Sequence, residues 1–556
     1  MNNDFNEHNN LNMVSNAFPG SDHNRNNKSS KKKVLIIFLV ILVIACFIGG
    51  YFYWQYKNNN KIVTEDNTSN EVEPIEYNSS YKITSNNLEN FDLKFLQLEN
   101  EEVNKVYSPL SIKYALAMLY EGSNGDTKRQ IEAVIGDYHV NKYVNTKNMS
   151  FANALFIKDD FKDDINADFV NNIKNNYNAD IVYDSFNNST IINKWISDKT
   201  LNLINNTFKD DDLKDLNLAL VNALAIDMNW VKNIQADNKH YDDEYNVAYN
   251  HENYYDNIDV LGEANYYKLK FNNSNNDYSA LQIGASINNY DIVKTLGEEN
   301  IRATITKEYN EWIKENPDCN ILLKHTDAIS NTSDAVNLFI NDLNSNYGKV
   351  DTSTDFEFYI DNNVKVFAKN LKQYNGTTLQ YVGIMPTVAS LKDFVNNSNA
   401  EDLNKLIKSL KTVTSNNFES GYVTKITGYI PIFNYDYNLN LMNDLKELGI
   451  TDVFDAYKAD LSGITNQQEY IDKAIHKANI DFSNEGIKAA AITAFGGRGA
   501  EGCYFEHLYD VPVKTIDLTF DKPYMYIIRD KTSGEVWFMG TVYEPSAWTE
   551  FAETNE

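Results

Sequence analysis

Cysteine is scarce. The 556-residue chain has three, Cys46, Cys319 and Cys503. They form no C-x-x-C pair and no Cys/His spacing for zinc. Cys46 lies in an apolar run, so at most one disulfide is open to the other two, and the fold does not depend on such bridges. Patterns for metal, nucleotide and acyl-transfer chemistry are missing too: there is no H-E-x-x-H, no P-loop and no G-x-S-x-G elbow. The eight histidines show no catalytic spacing. One motif matches literally, since Gly497 to Gly502, "GRGAEG", reads G-x-G-x-x-G. The segment after it, "CYFEHLYDVPV", has no helical period that would bring a helix N-terminus to a pyrophosphate. These glycines read as the freedom of an exposed loop. Positive charge is also short, with 50 Lys and Arg against 78 Asp and Glu, a net charge of -28. That surface excludes nucleic acid and anionic membrane surfaces as partners. The expectation is a protein that is not an enzyme, with no cofactor and no metal.

The longest apolar run is Val34 to Trp54, "VLIIFLVILVIACFIGGYFYW", uncharged and long enough to span a bilayer. Arg25, Lys28, Lys31, Lys32 and Lys33 precede it and should stay in the cytoplasm. The reading is a cytoplasmic tail (1–33), a single transmembrane signal-anchor (34–54) and an extracellular linker (55–84). The Asn/Ser/Glu-rich stretch from Gln55 to Ser80 is an extended tether. Two other readings keep the remainder outside: a cleaved signal peptide giving a secreted protein, and a lipobox, "VIAC", with Cys46 lipidated.

From residue 85 to 556 the chain reads as one globular α+β domain. "YSPLSIKYALAMLYEG" has Ser108 as N-cap, Pro109 in the first turn and Gly122 as terminator, and its narrow polar face predicts a buried helix. "LALVNALAIDMNW" (Leu218 to Trp230) suits a central strand. "IDLTFDKPYMYIIRDKTSGEVWFMGTVYEP" is two strands about a turn at Lys531 to Gly534. Residues about 271–355 are Asn/Asp-rich with weaker periodicity and read as an insertion, with a helix near "EENIRATITKEYNEWIKEN".

Several segments together resemble the serpins, the serine protease inhibitor family, of bacterial type. They are "NKVYSPLSIKYALAMLYEGSNGDTKRQI", "ALVNALAIDMNW", "LKELGITDVFDAYKADLSGIT", "IDKAIHKANIDFSNEGIKAAAITA" and "FDKPYMYIIRDKTSGEVWFMGTVYEP". They occur in the family's order. The resemblance implies a large central mixed or antiparallel sheet, helices packed around it, and an exposed reactive loop at about 484–515. It implies that Ser108, Ser111, Asn222 and His476 form the polar shutter where the central strands part. Taken singly, Ser108 is also a helix cap and His476 a core histidine. Trp230 resembles the breach tryptophan at the top of the sheet, with plain core packing as the alternative. From Trp230 to Pro431 there are 201 residues, roughly a hundred more than the family pattern needs. The hinge departs as well: Asn484 stands where glutamate is usual, and Ile487 where threonine is usual.

The resemblance also accounts for the two-part stretch "SNEGIKAAAITAFGGRGAEGCYFEHLYD". Its first part, the hinge Gly486, Ile487, Lys488, Ala489, Ala490, Ala491, Ile492 and Thr493, is small, apolar and alternating, and can enter a sheet as a strand. Ile487, Ala489, Ala491, Thr493 and Phe495 would share one face, and Lys488, Ala490, Ile492 and Ala494 the other. Its second part is bait. Counting along the family's loop puts the reactive bond at Ala500–Glu501, with Arg498–Gly499 second. The implied function is suicide inhibition of serine endopeptidases by loop cleavage and strand insertion. The partner would be a subtilisin-, elastase- or trypsin-like enzyme, a cysteine protease being a further option, and the inhibitor a monomer at the cell surface. The rival is a non-inhibitory surface module that binds or adheres through the insertion.

Overall fold

Ser108 opens the first long helix as its chemistry predicts. The computed structural model describes residues 77, 79–99, 101–231, 266–317, 350–351, 356–373, 375–483, 486–487 and 511–548, with a few positions between 333 and 340. After α1 (Asn90–Leu98) and β1 (Lys105–Tyr107) comes α2 (Pro109–Glu121). The Ser108 hydroxyl accepts from the Ser111 amide at 3.1 Å, which satisfies one orphan donor of the first turn. Ten of the thirteen α2 residues are buried, as the narrow polar face implied. Gly122 ends the helix for a packing reason: a Cβ there would lie 2.2 Å from the Ile464 side chain. A short loop leads to α3 (Gly125–Ile135).

The next segment builds a three-stranded sheet from β2 (Met149–Lys158), β3 (Ala179–Asp184) and β4 (Leu218–Ile226), in the order β3-β2-β4. β2 and β3 are parallel, so they need a crossover, which α4 (Ala167–Tyr177) supplies. α5 (Thr190–Lys199) then lays Ile192 and Ile196 in a separate apolar cluster with Phe156 and Val221. Past Asp227 the chain continues as β5 (Met228–Asn229).

β6 (Tyr267–Lys270) and β7 (Asp277–Asn288) follow. α6 (Ile292–Leu296) and α7 (Glu298–Glu315) come next, then β8 (Val350–Asp351), β9 (Glu357–Ile360), β10 (Val364–Asn370) and β11 (Leu379–Pro386). α8 (Leu391–Asn397), α9 (Ala400–Lys408), β12 (Lys411–Thr412), β13 (Val423–Pro431) and β14 (Phe433–Asn440) lead into α10 (Leu441–Glu447) and β15 (Ile475–Phe482). The chain closes with β16 (Gly486–Ile487), β17 (Val513–Asp517), β18 (Tyr524–Asp530) and β19 (Val536–Val542). The last two form the hairpin read from the sequence, and Gly534 at φ +82° allows its turn.

The largest sheet is seven-stranded and antiparallel, in the order β1-β19-β18-β11-β10-β9-β12. A second runs β17-β13-β7-β6 with β8 on β7. A third runs β14-β15-β16-β5. Aromatic contacts join the third to the first: Phe433 stacks 5.4 Å from Tyr526, and Phe482 lies tilted 4.8 Å from Tyr381. Two sheet layers thus close on one core.

The large antiparallel sheet is present; beside it the three-stranded piece ending at β4 and the four-stranded piece holding β15 stay separate, because β4 and β15 do not pair. One expectation needs correction. The insertion does not begin at 271. Residues Asp277–Asn288 are β7, which pairs with β13 over nine positions and with β6 on its other edge, so this part of the expected insertion is integral to a sheet. The helix expected in the insertion is α7. Among the described residues no helix is long and apolar enough to cross a membrane. The segment 34–54 and the tail before it lie outside those residues.

Candidate functional site

The division of the sheet leaves a slot. β4 is paired to β2 along one edge, and among the described residues its other edge has no strand partner. β15 is paired to β14 along eight positions, and among the described residues its other edge meets β16 alone, at Phe482↔Ile487. Between them lies a partly open cavity of about 90 Å³. Leu220 to Leu224 of β4 and His476 to Ala478 of β15 form its walls. Ser108, Ser111, Ile112 and Ala115 of α2 form its floor, with Phe538. Nine β4 residues give it a length of roughly 30 Å.

At the upper end the slot is already bridged. Gly486 pairs with Asn229 and Ile487 with Met228, both antiparallel, while Ile487 pairs with Phe482 across β15. The backbone of the first two hinge residues therefore sits in the ladder between β15 and β5. Of the other predicted loop residues, Lys488 through Thr493, the pairs Ala500–Glu501 and Arg498–Gly499, Asn484 and Cys503 lie outside the described residues.

Trp230 stands at this junction, fully buried. Its indole N–H donates to the Ser483 carbonyl at 3.0 Å, immediately after β15. Its ring meets Phe482 at 5.5 Å and Tyr381 at 6.1 Å, both edge-on. It thus packs in the core and also fixes the point where the chain turns toward β16. Tyr381, Phe433 and Phe482 were not singled out in the sequence, although each is an aromatic at an inward strand position.

The four polar residues predicted to cluster do line the one slot. The Ser108 amide donates to His476 Nε2 at 2.9 Å, which ties the start of α2 to β15. That bond needs a neutral ring, and burial pushes the His476 imidazole down to about 4. Asn222 is held from the other side: its Nδ2 donates to Asn153 Oδ1 at 2.6 Å, directly opposite on β2, and Asn153 Nδ2 donates to the Tyr177 carbonyl at 2.7 Å. Asn153 is a member the sequence reading missed. Its signal was an amide inside the apolar strand "MSFANALFIK", where a buried polar group needs a partner. Two atoms bordering the slot, Asn222 Oδ1 and Thr207 Oγ1, are buried with no hydrogen-bond partner among the described residues.

The arrangement has no nucleophile–base pair, and among the described residues no three His, Cys, Asp or Glu side chains could share a metal ion. It can accept an extended chain. Two open edges and unpaired polar atoms suit a strand with backbone groups to satisfy.

A model of the serpin (serine protease inhibitor) family matches residues 86–321 and 350–545. The chain belongs to the serpin family. An uncharacterized serpin-like protein of Methanosarcina acetivorans is 23% identical over 83% of this chain and 86% of its own length. Human neuroserpin is 20% identical over 81% of this chain and 88% of its own. Human leukocyte elastase inhibitor is 33% identical over a shorter stretch, 21% of this chain and 28% of that protein. The thermophilic serpin tengpin superposes in its native state with a TM-score of 0.52, at 20% identity, covering 82% of this chain and 92% of tengpin. The latent state of tengpin gives 0.51 at 18% identity, over 83% and 97%. These likenesses show the fold. The family match leaves residues 322–349 of this serpin uncovered, within the region read as an insertion.

Proposed function

We propose that this serpin is an extracellular, membrane-anchored suicide inhibitor of serine endopeptidases. The observation that carries the reading is the slot with Gly486 and Ile487 already in ladder at its upper end. A protease that attacks the exposed loop forms an acyl-enzyme on the residue before the cut. The freed strand then continues from Ile487 down the slot. Each residue gains backbone bonds on both edges, about a dozen in all at roughly 1 kcal/mol each, so entry is effectively irreversible. The acylated protease is carried the length of the sheet and its active site is distorted before water can release it. Ala500–Glu501 is the proposed bond and Arg498–Gly499 the second choice. The anchor is the apolar segment 34–54, with the basic tail in the cytoplasm.

The test is incubation with subtilisin-, elastase- and trypsin-like enzymes, followed by denaturing gel electrophoresis and mass spectrometry of the cut. The expected product is a covalent complex at the summed mass. Cleavage by every enzyme with no complex would leave the rival reading, a non-inhibitory binding module. That rival has one observation in its favour: in the region read as an insertion, α6 packs Ile292 and Val293 against Val423 of β13, and α7 follows it. External protease on intact cells should remove the region after residue 54. Protection of that region would reverse the topology.

A further inference from the structure

α10 sits at the base of the slot. Its first residue, Leu441, lines the slot, and its amide donates to the Ala474 carbonyl at 2.8 Å, just before β15. One turn on, Asp444 is 6% exposed, and its Oδ2 has no hydrogen-bond partner among the described residues. A buried carboxylate oxygen without a donor is costly to keep charged.

The neighbours do not offset that cost. Glu99, at the end of α1, adds a second negative charge, its carboxylate held by the Tyr437 hydroxyl of β14 at 2.9 Å. Lys94 on α1 opposes it, but more weakly than Glu99 acts. Its Nζ lies 4.9 Å over the Tyr81 ring, and among the described residues it makes no ion pair with Asp444. Glu447, on α10 itself, adds negative charge. Tyr107 of β1 is a neutral phenol donating to the Asp92 carbonyl, and Glu101 lies beyond, near Tyr437. Burial first, and Glu99 second, raise the Asp444 carboxyl to about 7.

We propose that Asp444 and Glu99 form a proton-operated latch that seats α10 at the base of the slot, closed while Asp444 is protonated and loosened when both carboxylates are charged. The carboxyl holds its proton more tightly in the folded protein than in the unfolded one. Its stabilising contribution is therefore complete below the ordinary carboxylate range and is lost as pH rises through about 7. Since Leu441 and β15 share that seat, alkaline pH frees the lower slot wall. The latch concerns the empty slot and goes beyond inhibition.

The test is hydrogen exchange on the full chain, with protection of the Leu441 and Leu445 amides corrected for intrinsic rates between pH 5.5 and 8.5. Protection in the wild type should fall about tenfold per pH unit up to a midpoint near 7 and level off above it. Asp444→Asn should show no such fall. Glu99→Gln should move the fall to lower pH, because one repelling charge is gone. A flat wild-type profile, an Asp444→Asn profile that keeps the fall, or an unmoved midpoint in Glu99→Gln would each overturn the latch. If Asp444→Asn does not fold, the Glu99→Gln midpoint decides alone. No protease enters these measurements, so the result is separate from the inhibitor reading.

Discussion

Protonating His476 should unfasten β15 from α2. The ring accepts from the Ser108 amide, and an imidazolium cannot. A free histidine takes its proton near 6.5, whereas burial holds this one to about 4. The neutral ring's contribution is therefore present above about pH 6.5 and is lost as pH falls through about 4, on the order of 3 kcal/mol. Urea midpoints of the wild type should drop across that window. His476→Gln should start lower at pH 7 and lose less below 6.5, and equal slopes would remove His476 as the cause. At this scale the sequence was informative where a residue sits in a recognisable context. Ser108 follows from capping chemistry alone, while Ser111, Asn222 and His476 needed the resemblance, and the partners of the last two are distant in the chain. Asn153 needed its opposite number on β4, which only strand register supplies.

Between α5 and β4, residues 200–217 cross the slot as a strap, and they are tied to the β15 side. Lys477 Nζ donates to the Asn205 carbonyl at 2.9 Å, Lys473 pairs with Asp212 at 2.8 Å, and Asn217 Nδ2 donates to Glu469 at 2.7 Å. A strand entering from the top must lift this strap to pass. Removing one tie with Lys477→Ala should lower that barrier by about 1 kcal/mol, roughly a fivefold faster entry. A synthetic peptide with the sequence of residues 487–500, followed by tryptophan fluorescence, measures it, and an unchanged rate would free the strap of this role. α2, β4, α7 and the β18–β19 hairpin were legible from period and turn chemistry. β7 was not, because "NNSNND" ahead of it lends the region the composition of a loop. Nor was the open edge between β4 and β15. Each strand's pattern states which face is buried and is silent on which neighbour it lacks.

For the molecule as a whole, filling the slot should be visible as heat resistance. About a dozen new ladder bonds amount to roughly 10 kcal/mol, which in a chain of this size raises Tm on the order of 10 °C. Calorimetry of intact protein and protein nicked within 488–510 gives the comparison, and equal Tm values would mean the cut strand stays outside. The divided sheet has a further consequence, for cooperativity. β2, β3, β4 and α5 share an apolar cluster on one face, while Leu155 of β2 and Leu224 of β4 belong to the main core. Among the described residues the ladder between the two sheet pieces is the short rung at β16, so the main core carries most of their coupling. Hydrogen exchange should therefore reach the open edge of β4 before β2, and filling the gap should close that difference.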